Sequence, residues 1–341
     1  LVNYKIGVIP GDGIGPEVID CALSVLSKTG VSYELVEFFL GADAYIKEKV
    51  VLPEKDLEKM RELDAILLGA IGPPVGSKEV PPGLLERGLL LKMRFELDLY
   101  INLRPFKGVK GSVGQGADFV VVRENTEGAY VGEGGIFKKG TPYEVALQGS
   151  VNTYHGVKRC VKYAFELAQK RNKKITLVHK TNVLTYAGDL WQRVFDEISK
   201  EFPEVSCDYN HVDAACIYLV ENPKRYDVIV TDNLFGDIIT DLAGAVSGGI
   251  GFAASGNLNP LKTGPSLFEP VHGAAHDIKG TNKANPLAAI ASVAMMLDFL
   301  GETSCADKIS RAVDDVAQLI ASMAQKPGTK EITAMVEERM E

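Results

Sequence analysis

Cysteine is sparse and scattered in this 341-residue chain. Cys21, Cys160, Cys207, Cys216 and Cys305 form an odd set with no CxxC spacing. That excludes a disulfide framework and a zinc ribbon, and it fits a reducing compartment. Basic residues are outnumbered, 37 Lys and Arg against 45 Asp and Glu, giving a net charge of −8. A duplex binder needs a basic surface field, so no nucleic-acid partner is expected. Long hydrophobic runs are missing as well: the longest, Leu287 to Leu300, is broken by Asp298. The opening LVNYKIGVIP has neither a charged n-region nor a cleavage motif. A cytoplasmic protein without a membrane partner is expected. HExxH is absent too, so His272 and His276, four apart with a glycine between them, do not suggest zinc. Finally, the first glycine turn, at positions 11, 13 and 15, is GxGxG rather than the GxGxxG of an ordinary dinucleotide fold.

What is present is a soluble globular composition, 46% hydrophobic and 24% charged, at a length that suits two lobes. Strands are expected at Tyr4 to Pro10, Ser32 to Phe39, Ala65 to Leu68, Asp118 to Val122, Lys174 to His179, Ser206 to Val212 and Tyr226 to Thr231. They alternate with helices at Pro16 to Leu26, Glu54 to Glu62, Gly156 to Arg171 and Gly188 to Phe202, the pattern of an α/β protein with a parallel or mixed sheet. The stretch from Ser247, SGGIGFAASGN, reads as a crossing between lobes, and 265–280 as a loop that a ligand can approach closely. Two amphipathic helices, from Asn285 and from Ala306, would cover the sheet. A Gly-rich segment, 132–149, reads as a hairpin arm that favours a dimer.

The chemistry concentrates in TDNLFGDIITDLAG, 231–244, a strand end, a loop and a helix start. Asp237 and Asp241 are four apart, so their side chains share one helix face about 5–6 Å apart at Cβ and can share a hard divalent cation. The alternative is that Asp237 favours the helix N-terminus and Asp241 is simply solvated. A third carboxylate, Asp213, follows the strand at 206–212. Lys180 stands where another strand ends; by itself it reads as a solvated lysine, and beside a metal its pKa could be depressed so that it acts as a base. The segment LLERGLLLKMRFELDLY, 84–100, reads as a helix with Arg87, Leu90 and Arg94 on one face and Leu91 beside them. Arg104 and Arg123 add two guanidiniums, the group that grips carboxylates bidentately. A ligand with carboxylates and an alkyl branch matches this set. Taken singly, each arginine is equally readable as a surface ion-pair partner. Asp277 suits the two ribose hydroxyls of an adenosine and would repel a 2′-phosphate.

The strings GDGIGPEV, ERGLLLKMRFELDLYINLRP, VVRENTEGAY, LVHKTNVL, VDAA, TDNLFGDIITDLAG and FEPVHGAAHDIKG, in that order, resemble those of the β-decarboxylating dehydrogenases over essentially the whole chain. The resemblance implies a two-lobed isopropylmalate/isocitrate dehydrogenase-like fold with mixed sheets flanked by helices. Its cofactor lobe would comprise 1–98 plus 248–341, and its substrate, metal and dimerisation lobe 99–247. It implies that Arg94, Arg104 and Arg123 hold malate carboxylates and that Tyr130 and Lys180 are acid and base. Asp213, Asp237 and Asp241 would bind Mg²⁺ or Mn²⁺, with Lys180 and Asp213 reaching the site from the second subunit of a homodimer. NAD would lie against Ile14, His272, Gly273, Ala274, Ala275, Asp277, Ile278 and Asn285. Gly88 and Leu90 stand where isocitrate enzymes carry serine and asparagine, so Leu90 and Leu91 favour the isopropylmalate branch, of leucine biosynthesis. Arg87 keeps homoisocitrate open as an alternative, with tartrate or D-malate further off. Asp277 and Ile278 replace the Lys-Tyr pair of NADP-dependent isocitrate enzymes. A non-catalytic regulatory subunit is the rival from another class, disfavoured because all the acid/base and metal residues are present.

Overall fold

The computed structural model describes residues 2–340. Its strands, in chain order, are β1 (Asn3–Gly11), β2 (Ser32–Glu37), β3 (Ala65–Ala70), β4 (Ile101–Lys107), β5 (Asp118–Glu124), β6 (Gly134–Phe137), β7 (Val145–Gln148), β8 (Lys174–His179), β9 (Ser206–His211), β10 (Val228–Thr231), β11 (Ala254–Leu258) and β12 (Ser266–Pro270). Ten of them form one sheet in the order β2-β1-β3-β12-β11-β4-β5-β10-β8-β9. All residues of β3 (AILLGA) and β10 (VIVT) are buried, which is why these segments read as continuous apolar runs rather than alternating ones. At the centre β11 pairs antiparallel with both β12 and β4, and β4 pairs antiparallel with β5. The parallel strand sets on either side therefore run in opposite directions, and the reversal marks where an open sheet offers a crevice.

The cores on the two faces of the sheet differ. On one face, helices Gly15–Ser27, Leu287–Leu300 and Tyr154–Lys170, among others, bury one continuous cluster that runs from Ile6 to Trp191 and Phe165. On the other, Ile9, Leu68, Leu89 and Met93 form one cluster, while Phe106, Phe119, Ile229 and Ile239 form a second. The gap between these two clusters is the cleft.

The mixed sheet flanked by helices is as expected, with β6 and β7 forming a second, two-stranded sheet. Several other expectations are corrected. β11 and β12 lie within segments read as a crossing and a loop, and β4 was not anticipated. Their polar residues hide the strand signal because they are buried and satisfy one another: Asn102 Nδ2 donates to Ser255 Oγ at 2.8 Å and to Asn257 Oδ1 at 3.1 Å. The arginine segment is not one α-helix. It is a π-helix, Glu86–Leu91, followed by a short α-helix, Lys92–Glu96, closed by Asp98 in the left-handed region at φ 47. The wider π turn takes Arg87 off the Leu90–Arg94 face, and its guanidinium folds back over Gly83, 3.5 Å from the Pro82 carbonyl. Asp213 follows strand β9 as expected, in the first turn of helix Val212–Glu221. Leu287–Leu300 is buried on nearly every side rather than amphipathic, because helix Thr303–Ala321 covers its outer face. Helices Ala42–Glu48 and Thr329–Met340 carry no signal in the reading above.

Candidate active site

The cleft gathers three guanidiniums. Leu90 and Arg94 from the arginine segment, Arg104 from β4 and His272 with Gly273 from the loop after β12 line one cavity of about 190 Å³. Arg123, at the end of β5, is 1% exposed and donates from Nη1 to Asp237 Oδ1 at 2.5 Å. Burial, and after it the charge of Arg123, lowers the proton affinity of Arg94 and brings Arg104 down to about 10. Like charges crowded in a half-buried cleft mark a place built for anions. Glu269, which sequence reasoning missed, partly offsets them and accepts from Asn257 Nδ2 at 2.7 Å. Its signal was faint because it sits in what read as loop. Leu91 is half-buried and does not line this cavity.

Asp237 and Asp241 lie on helix Asn233–Ser247 as the spacing implied, 3.9 and 3.8 Å from the Arg104 guanidinium. Tyr130 donates to Asp237 Oδ2 at 2.7 Å. Burial alone would raise the Asp237 carboxyl; Arg123, Tyr130 and Arg104 outweigh it and hold it below its usual range. Burial and the hydrogen bond to Asp237 push the Tyr130 hydroxyl up, so it keeps its proton at neutral pH. Each Asp237 oxygen already has one partner, but a carboxylate offers about four lone-pair sites. With Asp241 one turn away, the two carboxylates fit a hard divalent cation, while the Arg104 Nε, an N–H donor buried without a partner, suits an anion beside it.

Lys180 and Asp213 lie apart from this set. Lys180 Nζ donates to Asp213 Oδ1 at 2.6 Å, and that bond lowers the Asp213 carboxyl. Among the described residues, no three metal-ligating side chains come together within one chain, so Asp213 does not join Asp237 and Asp241 here.

The glycine turn and the His272 loop meet directly. Ile14 N donates to the Ala274 carbonyl at 2.8 Å, and Gly13, at φ 59, leaves no room for a Cβ against that oxygen. Buried Asp12, another residue the sequence did not single out, accepts from Ala42 N (2.8 Å), Asp43 N (3.1 Å) and Gly72 N (2.9 Å), fixing the loops around the turn. His272 Nε2 is buried without a partner, while Ala275 and Asp277 are exposed and Ile278 is half-buried. Asn285 lies behind them at the start of Leu287–Leu300, accepting from Leu287 N at 3.1 Å. A buried orphan imidazole nitrogen in a loop that also carries an exposed carboxylate fits a polar, hydrogen-bonding ligand.

Asp232 caps helix Asn233–Ser247 by accepting from Phe235 N at 2.8 Å. Burial pushes its carboxyl up to about 6, and His179, 3.6 Å away, is pushed down to about 4 by burial and is neutral at pH 7. A carboxyl raised in the folded state from 3.8 contributes its stability at low pH and loses it as pH rises through about 6. Asp232→Asn keeps a capping oxygen without the buried charge. Its stability should match wild type near about pH 3 and exceed it by roughly 2–3 kcal/mol near about pH 8. Thermal melts at both values check this; equal melts at the higher pH would mean that the carboxylate is hydrated.

The isocitrate/isopropylmalate dehydrogenase family model matches residues 5–336. A 3-isopropylmalate dehydrogenase of Corynebacterium glutamicum is 60% identical over 314 residues, 91% of this chain and 92% of the relative. One from Bifidobacterium longum is 55% identical over 326 residues, covering 93% and 94%. Among solved structures, an isocitrate dehydrogenase from Methylococcus capsulatus superposes with a TM-score of 0.88 at 36% identity, over 99% of each chain. A β-decarboxylating dehydrogenase from Thermococcus kodakarensis gives 0.80 at 36% identity, over 99% of this chain and 96% of its own. The family-model match over nearly the whole chain and these full-length relatives place the chain in the isocitrate/isopropylmalate dehydrogenase family.

Proposed function

We propose that this enzyme oxidises and decarboxylates (2R,3S)-3-isopropylmalate to 4-methyl-2-oxopentanoate and CO₂ with NAD⁺, in leucine biosynthesis in the cytoplasm. One observation carries the choice of substrate: Leu90 shares a cavity with Arg94 and Arg104, so an alkyl branch and a carboxylate are accommodated side by side. The homoisocitrate reading loses its support because Arg87 turns away onto Gly83 and Pro82. A regulatory subunit would have no use for the intact acid/base and carboxylate set.

In this reading Arg94, Arg104 and Arg123 hold the substrate carboxylates, Asp237 and Asp241 with a partner's copy of Asp213 hold Mg²⁺ or Mn²⁺, and the Ile14 turn with His272–Ile278 and Asn285 holds NAD. When bound, the cation supplies Lewis acidity at the C2 oxygen and NAD⁺ supplies the hydride acceptor. Lys180 Nζ takes the C2 hydroxyl proton as the hydride leaves C2. The resulting 2-oxo acid releases its β-carboxylate as CO₂, and the electron pair left behind takes a proton from the Tyr130 hydroxyl at carbon. The arginines favour the reactant dianion and, as fixed charges, need no reorganisation during the step.

In the same reading a homodimer would bring Lys180 and Asp213 of one copy to Asp237 of the other. Ile136, Phe137, Val145 and Leu147 on the β6–β7 hairpin are exposed, as are Ile217 on Val212–Glu221 and Ile238 on Asn233–Ser247. A second copy would cover these apolar groups. Residues 1–98 with 248–341 would form the cofactor lobe and 99–247 the substrate lobe.

Leu90→Ser tests the substrate assignment. It should lower kcat/KM for 3-isopropylmalate roughly 10- to 100-fold, with the KM for NAD unchanged. Unaltered kcat/KM would mean that Leu90 does not face the branch.

A further inference from the structure

We infer that Asn233 is the positioning residue of the cleft: it selects which edge of the Arg123 guanidinium faces the substrate and ties that arginine to the segment carrying Tyr130. Asn233 is fully buried in the first turn of the helix that carries Asp237 and Asp241. Arg123 Nε donates to the Asn233 carbonyl at 2.8 Å and to its Oδ1 at 3.1 Å, and Arg123 Nη2 donates to the same Oδ1 at 2.8 Å. An arginine has five N–H donors in a rigid fork. Asn233 takes the Nε/Nη2 edge, and Asp237 takes one hydrogen of Nη1. One N–H on each terminal nitrogen is left, so the end-on edge is what a carboxylate meets.

The other half of the amide faces elsewhere. Asn233 Nδ2 donates to the Glu127 carbonyl at 3.0 Å, two residues before the short turn Ala129–Val131 that carries Tyr130. The Tyr130 ring in turn lies 5.3 Å from the Arg123 guanidinium carbon. Gly236 completes the slot, since a Cβ there would strike the Arg123 methylenes. One buried amide thus joins the strand bearing Arg123, the helix bearing Asp237 and the loop bearing Tyr130.

The inference rests on the proposed role of Arg123 in holding a malate carboxylate. The test is a double-mutant cycle of Asn233→Leu and Arg123→Lys, run with whichever malate derivative the wild type oxidises fastest, so the identity of the substrate is settled separately. Arg123→Lys keeps the charge and loses the fork. Asn233→Leu alone should raise the KM for that substrate about tenfold or more and weaken its protection of the protein against thermal unfolding, with the KM for NAD unchanged. In the Arg123→Lys background it should add little further. Asn233→Asp, which keeps the acceptor for Arg123 but loses the donor to the Glu127 carbonyl, should recover only part of the loss. Full additivity with Arg123→Lys, or an equal rise in the KM for NAD, would overturn the inference. If Asn233→Leu does not fold, Asn233→Ser, which also lacks the amide, replaces it in the same cycle.

Discussion

Lys180→Met should lower turnover roughly 10²- to 10⁴-fold, the usual contribution of a positioned general base. The change removes one ammonium and leaves the hydrocarbon stem almost intact. The Lys180 side chain is 25% exposed and Asp213 67%, so solvent screens their ion pair and losing it costs little stability. Initial rates at saturating substrate, read beside a thermal melt, separate lost chemistry from lost fold. If Lys180 and Asp213 serve the neighbouring subunit's site, mixing Lys180→Met chains with Asp237→Asn chains should restore about a quarter to half of the wild-type rate per dimer, because one of the two sites in a mixed dimer is intact. Near-normal turnover by Lys180→Met itself would remove this residue from the mechanism.

Asp237→Asn should have an effect at least as large, about 10³-fold or more in turnover, because it withdraws one cation ligand and the counter-charge of three guanidiniums together. Titration with Mg²⁺ should show weakened activation at every concentration. The sign of the pH dependence is also set. Asp237 is held below its usual range, so its charge persists through the ordinary carboxylate region and is lost only as pH falls through its lowered value. The low-pH limb of wild-type activity should therefore not come from Asp237 protonation. Turnover and Mg²⁺ activation close to wild type in Asp237→Asn would place the cation elsewhere.

Much of this cleft was legible in the sequence because its parts sit at strand ends and on helix faces, where spacing is informative. Asp237 and Asp241 one turn apart and Arg123 at the end of β5 are examples; Lys180, just after β8, is as easily placed on its strand end but lies apart from them with Asp213. What escaped is what helical or strand periodicity cannot express. The π turn at Glu86–Leu91 changes which residues share a face, so Arg87 was grouped with Leu90 and Arg94 when its guanidinium lies over Gly83. Strands β4 and β11 owe their buried polar residues to hydrogen bonds between segments about 150 positions apart, Asn102 with Ser255 and Asn257, which no local window contains. Asn233 and Asp12 are alike in this: each acts through distant backbone or guanidinium groups. Their importance emerges only from the packed chain.

The account turns on substrate and cofactor choice, and NADH or NADPH formation measured by absorbance with Mg²⁺ tests it most directly. 3-Isopropylmalate, isocitrate, homoisocitrate, D-malate and tartrate would be presented in parallel, each with NAD⁺ and with NADP⁺. The expected result is that 3-isopropylmalate with NAD⁺ exceeds every other pair by orders of magnitude in kcat/KM. Dominance of homoisocitrate, or of any substrate with NADP⁺, would contradict the roles given to Leu90 and Asp277 and return Arg87 to the substrate site.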